Sequence, residues 1–87
     1  MHAVVVKVTI QDPEAAASLL QEQTVPQVSQ APGFVAGYWT RKGNGGLSMI
    51  VMESEDAANA VSERVRSLAP DAVTVDDVEV REVVAHA

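Results

Sequence analysis

Few side chains in this sequence could do chemistry, and most of them lie in one short stretch. Phe34, Tyr38 and Trp39 are the only aromatic residues, and Arg41 follows closely. If that stretch is a strand, alternation puts Trp39 and Arg41 on one face. An indole able to stack on a flat ligand then stands beside a cation able to orient a polar group, with Tyr38 and Asn44 nearby. The plainer reading of Trp39 is as an aromatic anchor in an interface between chains, where tryptophan is enriched. Tyr38, Trp39 and Arg41 are therefore the candidate ligand-binding residues, and no residue presents itself as catalytic.

The remaining reactive types have ordinary explanations. His2 and His86 fall near the two ends of the chain, and two ligands are too few for a closed zinc site, so no metal is expected. Making them face each other would set Lys7 opposite Arg81, a like-charge clash, whereas a two-residue slide pairs Lys7 with Glu79 instead. Lys7, Glu79 and Arg81 read as charge pairs on a strand surface. Glu53, Glu55 and Asp56 cluster where a helix begins, and acids are favoured there by the helix dipole. Gly43-Asn44-Gly45-Gly46 is followed by neither a helix nor Lys-Ser/Thr, so it is a hairpin turn and not a phosphate loop. With no cysteine, two outlying histidines and no Gly-x-Ser-x-Gly turn, nucleophilic catalysis has no support.

These residues must be positioned by a few elements. Ala3 to Ile10 is rich in β-branched residues, with Val4, Val6, Val8 and Ile10 on one face of a strand. Asp12-Pro13-Glu14 combines an N-cap, a proline at the first helical position and an acid at the dipole's positive end. The helix that follows carries Ala17, Leu20, Thr24, Val28 and Ala31 as its stripe, with Pro26 expected to kink or break it. Ala31-Pro32-Gly33 ends it. Phe34 to Arg41 and Leu47 to Glu53 form a hairpin, with Val35 and Trp39 opposing Phe34 and Tyr38 in parity. Ser54 caps a second helix with the stripe Ala58, Val61, Val65 and Leu68, closed by Ala69-Pro70. A last strand lies within Val75 to His86, and its Val78, Val80 and Val84 share the face of Val4, Val6 and Val8. Glu82 interrupts that parity, which calls for a bulge or a strand running past the helices.

The order βαββαβ specifies a ferredoxin-like α+β domain, residues 1–87, in which a four-stranded antiparallel sheet carries both helices on one face. Its 87 residues leave no room for a second core. Scaling laws give a folded surface of ~4,900 Å² and burial of roughly 63%, marginal for a domain standing alone. The apolar 47% is mostly Val and Ala. They occupy both faces of the middle strands, so one pair of helices cannot cover them. A second copy of the same sheet is the expected cover, making a homodimer. A net charge of −6 disfavours phosphate backbones, so no nucleic acid is expected. No signal-like start and no membrane-length apolar run is visible, so no membrane partner and a cytoplasmic location are expected.

Ala31-Pro32-Gly33-Phe34-Val35-Ala36-Gly37-Tyr38-Trp39, followed by Gly46 through Ala58, resembles the dimeric α+β barrel superfamily, in particular small members similar to the antibiotic biosynthesis monooxygenase group. The resemblance spans nearly the whole chain. It implies two sheets packed face to face, helices outside, and in some members a cavity between sheet and helices. Haem-degrading members carry an Asn on the first strand and a His ligand on the second helix. Ala3 to Ile10 has no Asn and Ser54 to Leu68 has no His, so haem monooxygenation is rejected. Cofactor-free members that oxidise aromatic polyketides use Asn, Trp, Tyr and Arg, and here Tyr38, Trp39, Arg41 and Asn44 match in type without a spaced motif.

Two readings remain open, with no cofactor in either. One is a homodimer of no assignable activity that binds a small apolar or aromatic molecule. The other is a cofactor-independent monooxygenase acting on an aromatic or quinone-like substrate.

Overall fold

The computed structural model describes residues 1–67 and 73–87. Strand β1, His2–Ile10, leads through Asp12 into helix α1, Pro13–Leu19, a π-helical turn, Leu20–Thr24, and helix α2, Val25–Ser29. Strands β2, Phe34–Lys42, and β3, Gly45–Met52, follow as a hairpin, then helix α3, Glu55–Ser67, and strand β4, Val73–Glu82. The sheet is antiparallel in the order β2-β3-β1-β4, the ferredoxin-like arrangement expected. Leu68 of the expected second stripe and the Ala69-Pro70 stop lie outside the described residues. No described helix is long and apolar enough to cross a membrane.

Local chemistry explains the boundaries. Asp12 Oδ1 accepts from the Ala15 amide at 3.2 Å, and Ser54 Oγ accepts from the Ala57 amide at the same 3.2 Å, so both helices start on side-chain caps. Between Lys42 and Gly45 the hairpin turns in two residues, and Gly43 takes the first central position with φ +61°, where a side chain would be strained. Asn44 needs no positive φ; its carbonyl accepts instead from the Ile10 amide at 2.7 Å. Pro26 does not end the helical stretch but interrupts its α-helical hydrogen bonding. It has no N–H for Glu22 and its ring would crowd that carbonyl, and the turn just before it widens to π, with the Val25 amide bonding the Leu20 carbonyl.

Two bulges correct the expected face assignments. In β2 the register shifts between Phe34 and Ala36, so the extra residue reverses parity and puts Phe34 on the same face as Trp39. In β4 it shifts beside Lys7/Val8, leaving Asp76 as the extra residue, so Val73 and Val75 join Val78 and Val80 under the helices. The bulge lies at Asp76 and not at Glu82, which keeps the parity of Val78 and Val80 and is exposed as the last residue of the strand. Val84, expected on the covered face, lies beyond it and is 88% exposed. Neither anticipated register occurs: Lys7 opposes Asp77, which avoids the like-charge clash as Glu79 would have, and His2 opposes Glu82.

The core is Val4, Val6, Ile50, Met52 and Val78 from the sheet with Ala58 and Val61 of α3 and Val28 of α2. Helix α3 packs along β1, β3 and β4, whereas the first helical stretch meets the sheet through α2 and β2. The radius of gyration, 12.3 Å, is that of a compact chain of this length, for which about 12 Å is expected. The accessible surface is 5673 Å², above the ~4,900 Å² expected. Two features account for surface of this kind. One is the sheet face away from the helices, where Val35, Tyr38, Leu47 and Met49 are all exposed. The other is a cavity beneath the first helix.

Candidate functional site

The cavity, about 430 Å³, lies between the helix-covered side of the sheet and the Pro13–Ser29 helical stretch. Its floor follows from strand alternation: Val6 and Val8 of β1, Gly46, Ser48 and Ile50 of β3, and Trp39 and Arg41 of β2 point the same way. Its roof is the stripe of the first helix, including Ala16, Leu20 and Thr24, and none of the residues of α1 or the π turn is buried. Glycine at 46 sets the depth. A Cβ there would stand 2.5 Å from Val8 Cγ2, so the neighbouring strands can close over it only because it has none.

Trp39 is held flat at one side. A Cβ on Gly37 would lie 2.7 Å from Trp39 Cη2 and 2.8 Å from Cζ3, which places the six-membered ring of the indole directly over the Gly37 backbone. The indole packs against the core at the cavity wall. This overturns the plainer reading of Trp39: it lies under the helices, not on the face left free for a partner. Arg41, two residues on, lines the same cavity and is exposed. Tyr38 is not with them, because the pleat sends it to the opposite face, where it is 63% exposed. Asn44 takes part through its backbone in the hairpin turn. The structure thus brings together two of the three candidate ligand-binding residues.

One lining residue escaped the sequence reading. Arg64 of α3 also lines the cavity, one position before the stripe residue Val65. Counting three and four residues along the helix would have flagged Val65, and an arginine beside it reads as a solvent-facing charge. Among the described residues, no carboxylate, histidine or tyrosine lines the cavity. Its polar groups are Arg41, Arg64, Ser48, Thr24, Thr40, Gln23 and Gln27, and of these the Thr40 hydroxyl is engaged, donating to the Leu47 carbonyl at 2.6 Å. The arrangement can enclose an apolar body and present cations and amides to its polar end. Among the described lining residues none is a carboxylate, histidine or tyrosine that would accept a proton.

The other candidates sit elsewhere. His2 Nε2 is 3.3 Å from Glu55 Oε2 at the start of α3, and His86 is exposed beyond β4. Arg81 bonds Glu79 along its own strand, through Nε at 2.8 Å and Nη2 at 2.6 Å, on the free face of the sheet.

No protein-family model matches the chain, and no curated protein matches it in sequence. Solved structures do. HapK from Hahella chejuensis superposes with a TM-score of 0.74 at 12% identity, over 100% of this chain and 96% of its own. SnoaB from Streptomyces nogalater, a cofactor-independent oxygenase, gives 0.69 at 15% identity, over 98% and 94%. MhuD from Mycobacterium tuberculosis, a haem degrader, gives 0.53 at 22% identity, over 97% and 98%. These likenesses are of fold: the chain shares the ferredoxin-like α+β architecture of these structures over nearly its whole length, the fold that the resemblance in sequence implied.

Proposed function

We propose that this protein binds a small apolar or aromatic molecule between its sheet and its first helix, with Trp39 as the stacking surface and Arg41 orienting the polar end. The observation that carries this reading is the unfilled volume of about 430 Å³ beside Trp39, within the few hundred to a thousand Å³ common for ligand sites. Trp39 is the only tryptophan, so its emission reports on the site directly. Titration with naphthoquinones and other flat aromatics should quench it saturably, and Ser48→Phe, which fills the floor, should abolish the effect. Quenching that never exceeds inner-filter loss would sink the reading.

The likeness of fold to a cofactor-independent oxygenase supports a second reading, oxygenation of an aromatic or quinone-like substrate in the same cavity. Converting the ring C–H para to a phenol hydroxyl into a quinone carbonyl takes four electrons from the substrate, which reduce dioxygen so that one oxygen atom enters the product and the other leaves as water. With no proton acceptor among the described lining residues, such a substrate must enter already ionised. Dioxygen uptake with a panel of phenols and naphthols, with the quinone product identified, tests it. Uptake no faster than without protein would leave binding as the function. Haem has no place in either reading, since α3 offers no histidine.

A second copy of the chain is the proposed cover for the free sheet face, with Val35, Tyr38, Leu47 and Met49 meeting their counterparts across a two-fold axis. Sedimentation should give twice the monomer mass, and Met49→Lys should return it to one. A stable monomer in the unmodified protein would refute this arrangement. The cytoplasm is the proposed location.

A further inference from the structure

We propose that the ligand is a small amphipathic organic anion, its charged group received by Arg41 and Arg64 and its apolar body laid along Trp39 and the valine floor. This rests on the ligand-binding reading above and narrows it to a chemical class.

The charge distribution is the main observation. The chain has twelve acidic and six basic residues, so a cavity lined without regard to charge would meet acids first. Among the described residues this one meets none, yet it meets Arg41 and Arg64. The two come from different elements, β2 and α3, so the tertiary fold and not a local run of charge brings them to one site. Neither forms an ion pair with a described residue, in contrast to Arg81, which is bound to Glu79, and Arg66, which donates to the Val78 carbonyl at 3.0 Å. Around them the walls are valine, leucine, alanine and the indole, and charges interact more strongly beside such surfaces than in open water. Guanidinium groups pair best with planar oxyanions such as carboxylates and enolates. A cationic ligand would be repelled, and a neutral one would leave both arginines with water alone.

Two fluorescent probes separate this inference from its premise. 8-Anilinonaphthalene-1-sulfonate and N-phenyl-1-naphthylamine share an apolar body and differ by the anionic group. The sulfonate should bind about tenfold tighter at low salt, and the preference should shrink as salt is raised. Replacing both cations, Arg41→Gln with Arg64→Gln, should bring the probes to equal affinity while the neutral probe changes less than about twofold. Arg81→Gln, on the opposite face, should leave the preference intact. Ser48→Phe from the floor, or Ala17→Trp from the exposed roof, should remove both probes. Equal binding of the two probes to the unmodified protein, or a preference that survives the double substitution, overturns the inference and leaves the cavity as a binding site. Failure of both probes to bind, or binding untouched by either filling variant, overturns the ligand-binding reading and this inference with it.

Discussion

The two helices cover the same sheet in opposite ways. Under α3 the space is filled: Met52, Ala58 and Val4 are wholly buried, Ile50 nearly so, and the methyl of Ala58 lets the helix settle close onto the sheet. Under α1 and the π turn nothing on the helix is buried, and Val28 of α2 is where the stretch touches down. The difference lies in the size of the side chains that meet. On the α3 side small residues of the helix face large ones of the sheet, so the surfaces interlock. On the α1 side small residues occur on both surfaces, Ala16 and Ala17 on the helix and Gly46, Ser48 and Val8 on the sheet, and the larger Leu20 and Trp39 leave the space between them unfilled. A shortage of large side chains spread over the composition is concentrated, in the fold, at one place.

That contrast is most easily broken by truncation. Met52→Ala, at a wholly buried position away from the cavity, should cost about 3 kcal/mol in urea unfolding, as buried Met losses do. Leu20→Ala, on the half-buried roof, should cost less than about 1 kcal/mol, because much of its surface is already wet. Equal losses would mean that the cavity closes in solution. The reverse experiment adds volume. Ala58→Leu should overpack the α3 side by about 2 kcal/mol, whereas Ala17→Leu should change stability by less than about 0.5 kcal/mol, since there is room for it. A similar penalty at both sites would show that the first helix packs as tightly as the second.

The sequence carried the element order, the caps at Asp12 and Ser54 and the turn at Gly43, because each depends on chemistry within a few residues. The surplus of apolar residues on both sheet faces was legible for the same reason, as alternation is local. What escaped depends on non-local events. A bulge at Val35 reversed the parity of Phe34, and one at Asp76 reversed that of Val73 and Val75, although no residue type at either place demands an insertion. The cavity was legible only as something members of a resembling superfamily contain. Spacing placed Leu20 and Thr24 on the inner stripe correctly, but could not say that the helix would stop short of the sheet. Trp39 and Arg41 were found by alternation. Arg64 was not, since it lies on a helix beside the apolar stripe, and spacing along that helix flags Val65 instead.

The smallest effect gives the sharpest form of the comparison, because it holds the chemistry constant. Asp12 and Ser54 cap their helices with hydrogen bonds of the same 3.2 Å length to the third residue on, and loss of such a cap costs about 1 kcal/mol. Where that free energy appears depends on what each helix is attached to. Helix α3 is locked into the core through Ala58 and Val61, so it cannot open without the sheet beneath it. Ser54→Ala should therefore lower global stability by the full amount, about 1 kcal/mol, and speed exchange of core amides in β1 and β3 equally. Helix α1 has no buried residue to tie its opening to the rest. Asp12→Ala should instead speed amide exchange within Glu14–Thr24 about fivefold while moving the global unfolding midpoint by less than half as much as Ser54→Ala. If both substitutions shift the midpoint alike, the roof of the cavity is part of the cooperative core, and ligand entry requires a path other than its opening.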